Sequence, residues 1–242
     1  MVDVGGGAFL RFGEARAKFE DLDHIAISHF HTDHSADFVT LLKTGNFTER
    51  TRPLGVSGPA GGGPFPSLTD FLTSNVGKDG AYQYLSGYID GTGGLVRLEP
   101  VELDPSGDVV QAVRFMTDRD ITITATGVPH GIVPAIAYRV RVGDTEIVFA
   151  SDQNGNDERF IDFAKDVDVL VMHLVAPEGI EGSFRALHAP PGRIGEIASA
   201  AGAGKLVLSH LTRWSLPGLD ENLAAVRNHY DGDIVLAEDL MC

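Results

Sequence analysis

Short apolar runs alternate with glycine- and proline-rich turns along the chain, and several of these runs end at a polar side chain. His24–Ser28 has the pattern of a short buried strand, and the alternating run from Ile121 to His130 predicts a longer one. Two further strands are predicted over Glu146–Asp152 and Lys205–His210, and an apolar stripe between 194 and 201 has helical spacing. Strands interspersed with helices predict an α/β architecture.

The greatest concentration of reactive side chains lies in the run from His29 to His34, which has the pattern H-x-H-x-D-H. Three imidazoles and one carboxylate within six residues exceed what a protein core accepts without partners. The preceding segment is the predicted strand, and Ala36–Leu42 predicts the start of a helix, so the cluster lies on a strand-to-helix loop. Imidazole is the commonest metal-binding side chain, so the pattern favours a metal site over a polar turn with scattered histidines.

Three later residues occupy a second recurring position. His130, Asp152 and His210 each follow the C-terminal end of an apolar strand, which is where open α/β sheets place their sites. Other aspartates nearby do not directly follow a hydrophobic strand: Asp144, Asp157 and Asp162. Placement at a strand end therefore favours Asp152.

The order of these motifs resembles the metallo-β-lactamase superfamily of binuclear metallohydrolases over nearly the whole chain. The resemblance implies one α/β (α+β) hydrolase domain over 1–242, a four-layer αββα sandwich with the metal site at one edge. It also implies seven metal ligands. The first ion would be held by His29, His31 and His130. The second would be held by Asp33, His34 and His210, with Asp152 bridging the two.

The C-terminal third resembles the ribonuclease Z and arylsulfatase-like branch of that superfamily. In that branch a histidine precedes a helix, a strand and the last metal histidine, and the segment from His188 to Leu211, followed by Thr212-Arg213-Trp214, has the same order. The resemblance implies that His188 binds phosphate or donates a proton. The alternative is an exposed loop histidine.

Two features depart from the ribonuclease Z pattern. That enzyme has an acidic residue directly after the histidine that ends the strand equivalent to Asp168–His173, where this chain has Leu174. Whether Glu178 or Glu181 supports His188 instead stays open. The short stretch between His130 and Asp152 leaves room for one hairpin, so we expect the tRNA-gripping arm to be absent.

The net charge of the chain also bears on the expected substrate. The chain has 19 lysines and arginines against 34 aspartates and glutamates, a net charge of −15. Binding of long nucleic acid needs a basic footprint that displaces counterions. We therefore expect a small-molecule substrate and no long nucleic acid.

The start of the chain and its hydropathy bear on location and assembly. Val2–Gly7 resembles the second or third strand of the superfamily and its glycine turn, so the first N-terminal strands are expected to be missing. An exposed sheet edge would then favour a homodimer. No run approaches the roughly 20 apolar residues of a membrane span, and no signal peptide is evident at Met1. The default location is cytoplasmic, with export through a lost N-terminus left open.

These features together predict a hydrolase with two divalent metal ions, zinc first and manganese or iron as alternatives. A metal-bridging hydroxide would attack small esters, above all phosphodiesters or sulfate esters. Asp33 would also orient the hydroxide, and His188 would stabilise the oxyanion or protonate the leaving group. The alternatives are a lactone or β-lactam ring hydrolase and a truncated, metal-binding protein without catalysis.

Overall fold

Two β-sheets organise the protein, one in each of two units of a computed structural model that describes residues 1–241. The N-terminal unit comprises residues 1–104 and 113–119. The C-terminal unit comprises residues 105–112 and 120–241.

The sheet of the N-terminal unit has three parallel strands in the order β1-β2-β3. They are β1 (His24–Ala26), β2 (Leu54–Pro59) and β3 (Leu98–Leu103). The unit also contains five helices: α1 (Ala8–Glu14), α2 (Thr32–Ser35), α3 (Phe38–Gly45), α4 (Leu68–Val76) and α5 (Gly87–Asp90). Short 3₁₀ turns cover Phe19–Asp21 and Gln83–Leu85. Every residue of β2 is buried, as expected for the central strand of a parallel sheet.

His24 is buried in this sheet between Ser57 and Gly55 of the neighbouring strand. Its Nε2 atom lies 2.8 Å from the Ser57 hydroxyl on the neighbouring strand. A side chain at Gly55 would place its Cβ 2.4 Å from His24 Nδ1, so only glycine leaves room for the imidazole there. Burial, together with the smaller effect of the nearby positive N-terminus, lowers the pKa of His24 to about 3. His24 is therefore a neutral structural residue.

The sheet of the C-terminal unit has the strand order β10-β9-β8-β7-β6-β5-β4. Its strands are β4 (Gln111–Val113, whose first two residues belong to this unit), β5 (Ile121–His130), β6 (Val133–Val142), β7 (Thr145–Phe149), β8 (Val169–His173), β9 (Lys205–Ser209) and β10 (Asp233–Leu236). The pairs β5–β6 and β6–β7 are antiparallel, whereas β7, β8, β9 and β10 pair in parallel. Strands β5, β7 and β9 therefore run in the same direction, and their C-terminal ends lie at the same edge of the sheet.

Four helices belong to the C-terminal unit: α6 (Arg159–Phe163), α7 (Gly182–Leu187), α8 (Pro191–Ala201) and α9 (Leu219–Arg227). A 3₁₀ turn covers Leu216–Gly218. The predicted apolar stripe of α8 is buried in the core of this unit. The helix begins at Pro191, whose missing N–H costs nothing there, and it ends at Ala201, followed by Gly202 with φ 65°.

The mixed α/β class predicted from the sequence is confirmed, with local differences. Val2 forms only an isolated parallel bridge with Ala26, since Asp3 takes a φ of 54° that interrupts any extended strand. The helix predicted from Ala36 is divided into α2 and α3. Strand β7 ends at Phe149, three residues before Asp152. Among residues 1–241, the structure contains no helix with the length and apolar character needed to cross a bilayer.

The low pKa of His24 predicts an acid-dependent loss of stability. The unfolded imidazole takes up a proton near pH 6.5, whereas the folded one does so only near pH 3, so protons favour the unfolded chain between these values. The free energy of unfolding should fall as the pH drops through this window, and His24 should contribute up to about 1.4 kcal/mol per pH unit. Urea unfolding at several pH values would show a shallower slope in His24→Gln than in the wild type. The matched control, His229→Gln, changes an exposed histidine and should keep the slope. Equal slopes in His24→Gln and the wild type would contradict this account of His24.

Candidate metal centre

The H-x-H-x-D-H motif follows β1 and runs into the one-turn helix α2. His31 is the N-cap residue of this helix, and Asp33 and His34 lie in its first turn. His29 and His34 are buried, His31 is half-buried, and the Asp33 side chain is 61% exposed. The loop therefore presents two buried imidazoles, one partly buried imidazole and one carboxylate open to solvent.

These four side chains converge within the N-terminal unit, as the sequence predicts. The His29 ring centroid lies 4.0 Å from that of His34 and 4.7 Å from that of His31. His29 Nε2 is 3.0 Å from His31 Nδ1, and an Asp33 oxygen is 3.8 Å from His34 Nε2. Imidazole nitrogens and carboxylate oxygens that lie this close together are suitable ligands for a divalent transition metal.

Asp3 orients the motif, and sequence reasoning missed it. Its carboxylate accepts hydrogen bonds from the Ser28 backbone N–H (2.6 Å), the Ser28 hydroxyl (2.8 Å) and His34 Nδ1 (2.8 Å). Asp3 precedes the motif by more than two dozen residues. It is brought alongside by the isolated bridge between Val2 and Ala26 and by a hydrogen bond from the Val4 N–H to the His34 carbonyl (2.9 Å). The signal available in the sequence was an aspartate separated by one valine from a run of three glycines, in a segment that resembles the superfamily.

This network fixes the proton positions on two of the imidazoles. His34 donates its Nδ1–H to Asp3, so its lone pair is on Nε2. The Ser28 hydroxyl donates to Asp3 and accepts from His29 Nδ1, which places the lone pair of His29 on Nε2 as well. A carboxylate that holds the far nitrogen of an imidazole is the usual support of a histidine metal ligand.

The C-terminal unit gathers a second cluster at the ends of its parallel-running strands. Ligand atoms of His130, Asp152 and His188 all lie within 4.8 Å of one another. Asp152 Oδ2 is 3.7 Å from His188 Nδ1 and 3.6 Å from His210 Nε2. The three predicted strand-end residues and His188 are thus brought together in this unit.

Strand ends and unusual backbone angles position these side chains. His130 is the last residue of β5, and His210 follows β9 directly. His210 has φ 56°, and Ser151, immediately before Asp152, has φ 60°. Non-glycine residues seldom adopt this left-handed conformation, and those that do are enriched at functional sites. The two turns direct a histidine and an aspartate away from the strand path.

His130 follows the same pattern of support as the N-terminal histidines. Its Nδ1 donates to the Leu187 carbonyl at 2.8 Å, so its lone pair is on Nε2. His173 differs, because its Nδ1 contacts the Ser151 carbonyl at 3.0 Å and its Nε2 accepts from the Ala189 N–H at 3.3 Å. Both of its nitrogens contact backbone atoms, so His173 is a buried structural residue.

His188 is 6% exposed, which rules out the exposed loop histidine considered as an alternative. Burial lowers its pKa to about 3 and outweighs the opposite effect of Asp152, so the imidazole is neutral. Its Nδ1 is buried without a hydrogen-bond partner in the described chain. A buried polar atom in this condition is costly unless a ligand or ion satisfies it.

The open question about Glu178 and Glu181 has a structural answer. A Glu178 oxygen accepts from the Gly192 N–H at 2.8 Å and so caps the start of α8. Glu181 is the N-cap residue of α7 and makes no side-chain capping hydrogen bond. Asp152 is the carboxylate beside His188.

Comparison with known proteins identifies the family. A sequence profile described as the beta-lactamase superfamily domain matches residues 3–211. The chain belongs to this superfamily. It is a metallo-β-lactamase-fold hydrolase of the ribonuclease Z-like branch.

Three similar proteins illustrate the relationship. Ribonuclease Z from Methanosarcina acetivorans is 26% identical over 270 residues, covering all of this chain and 87% of the relative. The crystal structure of the metallo-β-lactamase-fold protein YhfI from Bacillus subtilis superposes with a TM-score of 0.72 at 22% identity, covering 98% of this chain and 84% of the other. The crystal structure of the short form of human tRNase Z gives a TM-score of 0.71 at 18% identity, covering 99% of this chain and 85% of the other. The predicted fold is confirmed.

One prediction from the sequence is wrong. A small-molecule substrate and no long nucleic acid were expected, yet relatives that match the full chain are named ribonucleases and a structural neighbour is a tRNase. The physical error lies in the use of net charge. A total of −15 averages over the whole chain, whereas binding of a phosphate backbone depends on the local field at the site, which bound metal ions would dominate.

The Asp3 network predicts a loss of metal affinity when its charge is removed. Asp3→Asn keeps a residue that tolerates the left-handed conformation but weakens the hydrogen bonds that hold Ser28 and His34. Zinc affinity, measured by chelator competition, should fall about 10- to 100-fold. Asp37→Asn is a matched control, because Asp37 accepts two backbone N–H bonds in the same unit, from Gly7 and Phe9. Equal affinities in Asp3→Asn and the wild type would refute the supporting role.

The proposed role of Asp152 as a metal ligand can be tested with Asp157, a nearby aspartate, as the control. Asp152→Asn removes a buried charge beside His188 and His210, so the variant should lose both bound metal and hydrolytic activity. Asp157→Asn changes an aspartate bound to Arg159 and should retain both. Metal content by mass spectrometry, with circular dichroism to check folding, would decide the matter. A folded Asp152→Asn protein with full metal and activity would exclude Asp152 as a ligand.

Proposed function

We propose that this chain is a metal-dependent phosphodiesterase that cleaves RNA. The observation that carries the proposal is the buried His188 beside Asp152 and His130, at the ends of parallel-running strands. The segment from this histidine to His210 has the order typical of ribonuclease Z, and the similarity to ribonuclease Z covers the whole chain. These features support phosphodiester rather than lactam or lactone hydrolysis.

The proposed cofactor is a pair of divalent metal ions, with zinc first and manganese or iron as alternatives. The proposed ligands are all nitrogen and carboxylate donors: His29, His31, Asp33, His34, His130, Asp152 and His210. The donor set fits such ions, because His29, His34 and His130 each have a lone pair on Nε2 and a supported Nδ1–H. Bound divalent ions lower the pKa of water and stabilise negative charge on a phosphoryl oxygen.

The residues of this chain would contribute positioning and hydrogen bonds. The exposed Asp33 carboxylate would accept a hydrogen bond from the attacking water and orient it towards phosphorus. The neutral His188 has one N–H, which would donate to a phosphoryl or leaving-group oxygen. Burial of both Asp152 and His188 excludes water and strengthens these interactions.

The proposal predicts metal-dependent cleavage of a short single-stranded RNA labelled at one end. Zinc- or manganese-loaded protein should cleave the RNA, and a chelator should abolish the cleavage. His188→Ala should lower kcat by a factor of about 100 or more with unchanged metal content, because it removes a donor to the reacting group.

His229→Ala, which changes an exposed histidine, is the control and should retain wild-type kcat. A lactone, a chromogenic β-lactam and a sulfate ester should be tested in parallel. Faster turnover of any of these than of RNA, or equal kcat in His188→Ala and the wild type, would contradict the proposal.

A further inference from the structure

An apolar cavity of about 330 Å³ lies in the C-terminal unit beside His188. It is lined by Pro177, Ile180, Phe184 and Trp214. Phe184 belongs to α7, the helix that directly precedes His188, and Trp214 follows His210 by four residues. Both aromatic residues are therefore placed by the segments that carry candidate site histidines.

The aromatic rings form a continuous path from the cavity to His188. The Phe184 centroid is 4.9 Å from the His188 ring and 6.2 Å from the Trp214 ring, and both pairs are edge-on. Trp214 is nevertheless 55% exposed. A large aromatic side chain that is half exposed to water and separated by one ring from a candidate site histidine indicates a surface for a ligand.

A cation accompanies this surface. The Arg213 guanidinium carbon lies 4.6 Å from the centre of the Trp214 ring, and Arg213 is exposed. Arg185, on the same helix as Phe184, donates instead to the Asn154 carbonyl and the Asn156 side chain, so it stabilises a loop. In a chain of net charge −15, an arginine stacked on an exposed indole supplies local positive charge.

We propose that this cavity is a nucleobase subsite. The base next to the scissile phosphodiester stacks against Trp214 and Phe184, and Arg213 faces an adjacent phosphate. Aromatic rings combined with arginine are the general means by which proteins bind single-stranded nucleic acid. The inference deepens the proposed RNA phosphodiesterase function and rests on it, because it assigns the substrate side of the same site.

The first test uses the fluorescence of Trp214, the only tryptophan of the chain. Titration of the metal-loaded protein with adenosine 5′-monophosphate should quench its emission saturably, since the base stacks on the indole. Ribose 5-phosphate has the same sugar and phosphate but no base, and it should leave the emission unchanged. Equal responses to the two compounds, or no response to either, would overturn the subsite.

Variants separate stacking from other effects. Phe184→Ala should weaken binding of adenosine 5′-monophosphate roughly tenfold and leave binding of ribose 5-phosphate unchanged, both measured by calorimetry. Phe47→Ala removes an exposed aromatic residue in the N-terminal unit and is the matched control. Equal binding of adenosine 5′-monophosphate by Phe184→Ala and Phe47→Ala would overturn the subsite.

The second test compares RNA cleavage by Trp214→Ala and Trp214→Phe. The alanine variant should raise KM roughly tenfold with little change in kcat, and phenylalanine should restore most of the loss. An RNA without the base next to the cleaved bond should be bound equally weakly by all three proteins. Base-selective quenching without RNA cleavage would refute the phosphodiesterase proposal and support the base subsite. Cleavage that ignores the missing base would support the phosphodiesterase and refute the subsite.

Discussion

Hydrogen bonds to the Nδ1 atoms of three buried histidines, His29, His34 and His130, set the orientation of their imidazole rings. Asp3 holds His34, the Ser28 hydroxyl holds His29, and a backbone carbonyl holds His130. Each bond orients an imidazole and places its lone pair on the opposite nitrogen. Burying lone pairs and carboxylates costs free energy unless a cation interacts with them. The arrangement therefore favours the binding of a metal ion.

The two units position these residues through different local structures. In the N-terminal unit, a loop between β1 and α2 gathers the motif, and Asp3 is brought beside it by the bridge of Val2 with Ala26. In the C-terminal unit, strands that run in one direction end at a common edge, where left-handed turns at Ser151 and His210 redirect the chain.

Local patterns in the sequence predicted much of this arrangement. The H-x-H-x-D-H motif and the strand-end positions of His130 and His210 are visible because the candidate ligands lie next to one another or next to a strand in the sequence. Asp3 was not predicted, because its contact with His34 depends on tertiary structure. Glu178 was left open for the same reason, and the structure shows that it caps α8. The substrate expectation was wrong because net charge says little about the field at one site.

Both histidine-rich clusters are proposed to bind divalent metal. The most direct measurement is the number of metal ions bound per chain in the purified protein, made together with its thermal unfolding before and after chelation. We expect two bound ions per chain. Their removal should markedly lower the unfolding temperature, because ligands that bind only the folded state stabilise it. A protein that binds no zinc, manganese or iron and unfolds at the same temperature with and without chelator would contradict this proposal.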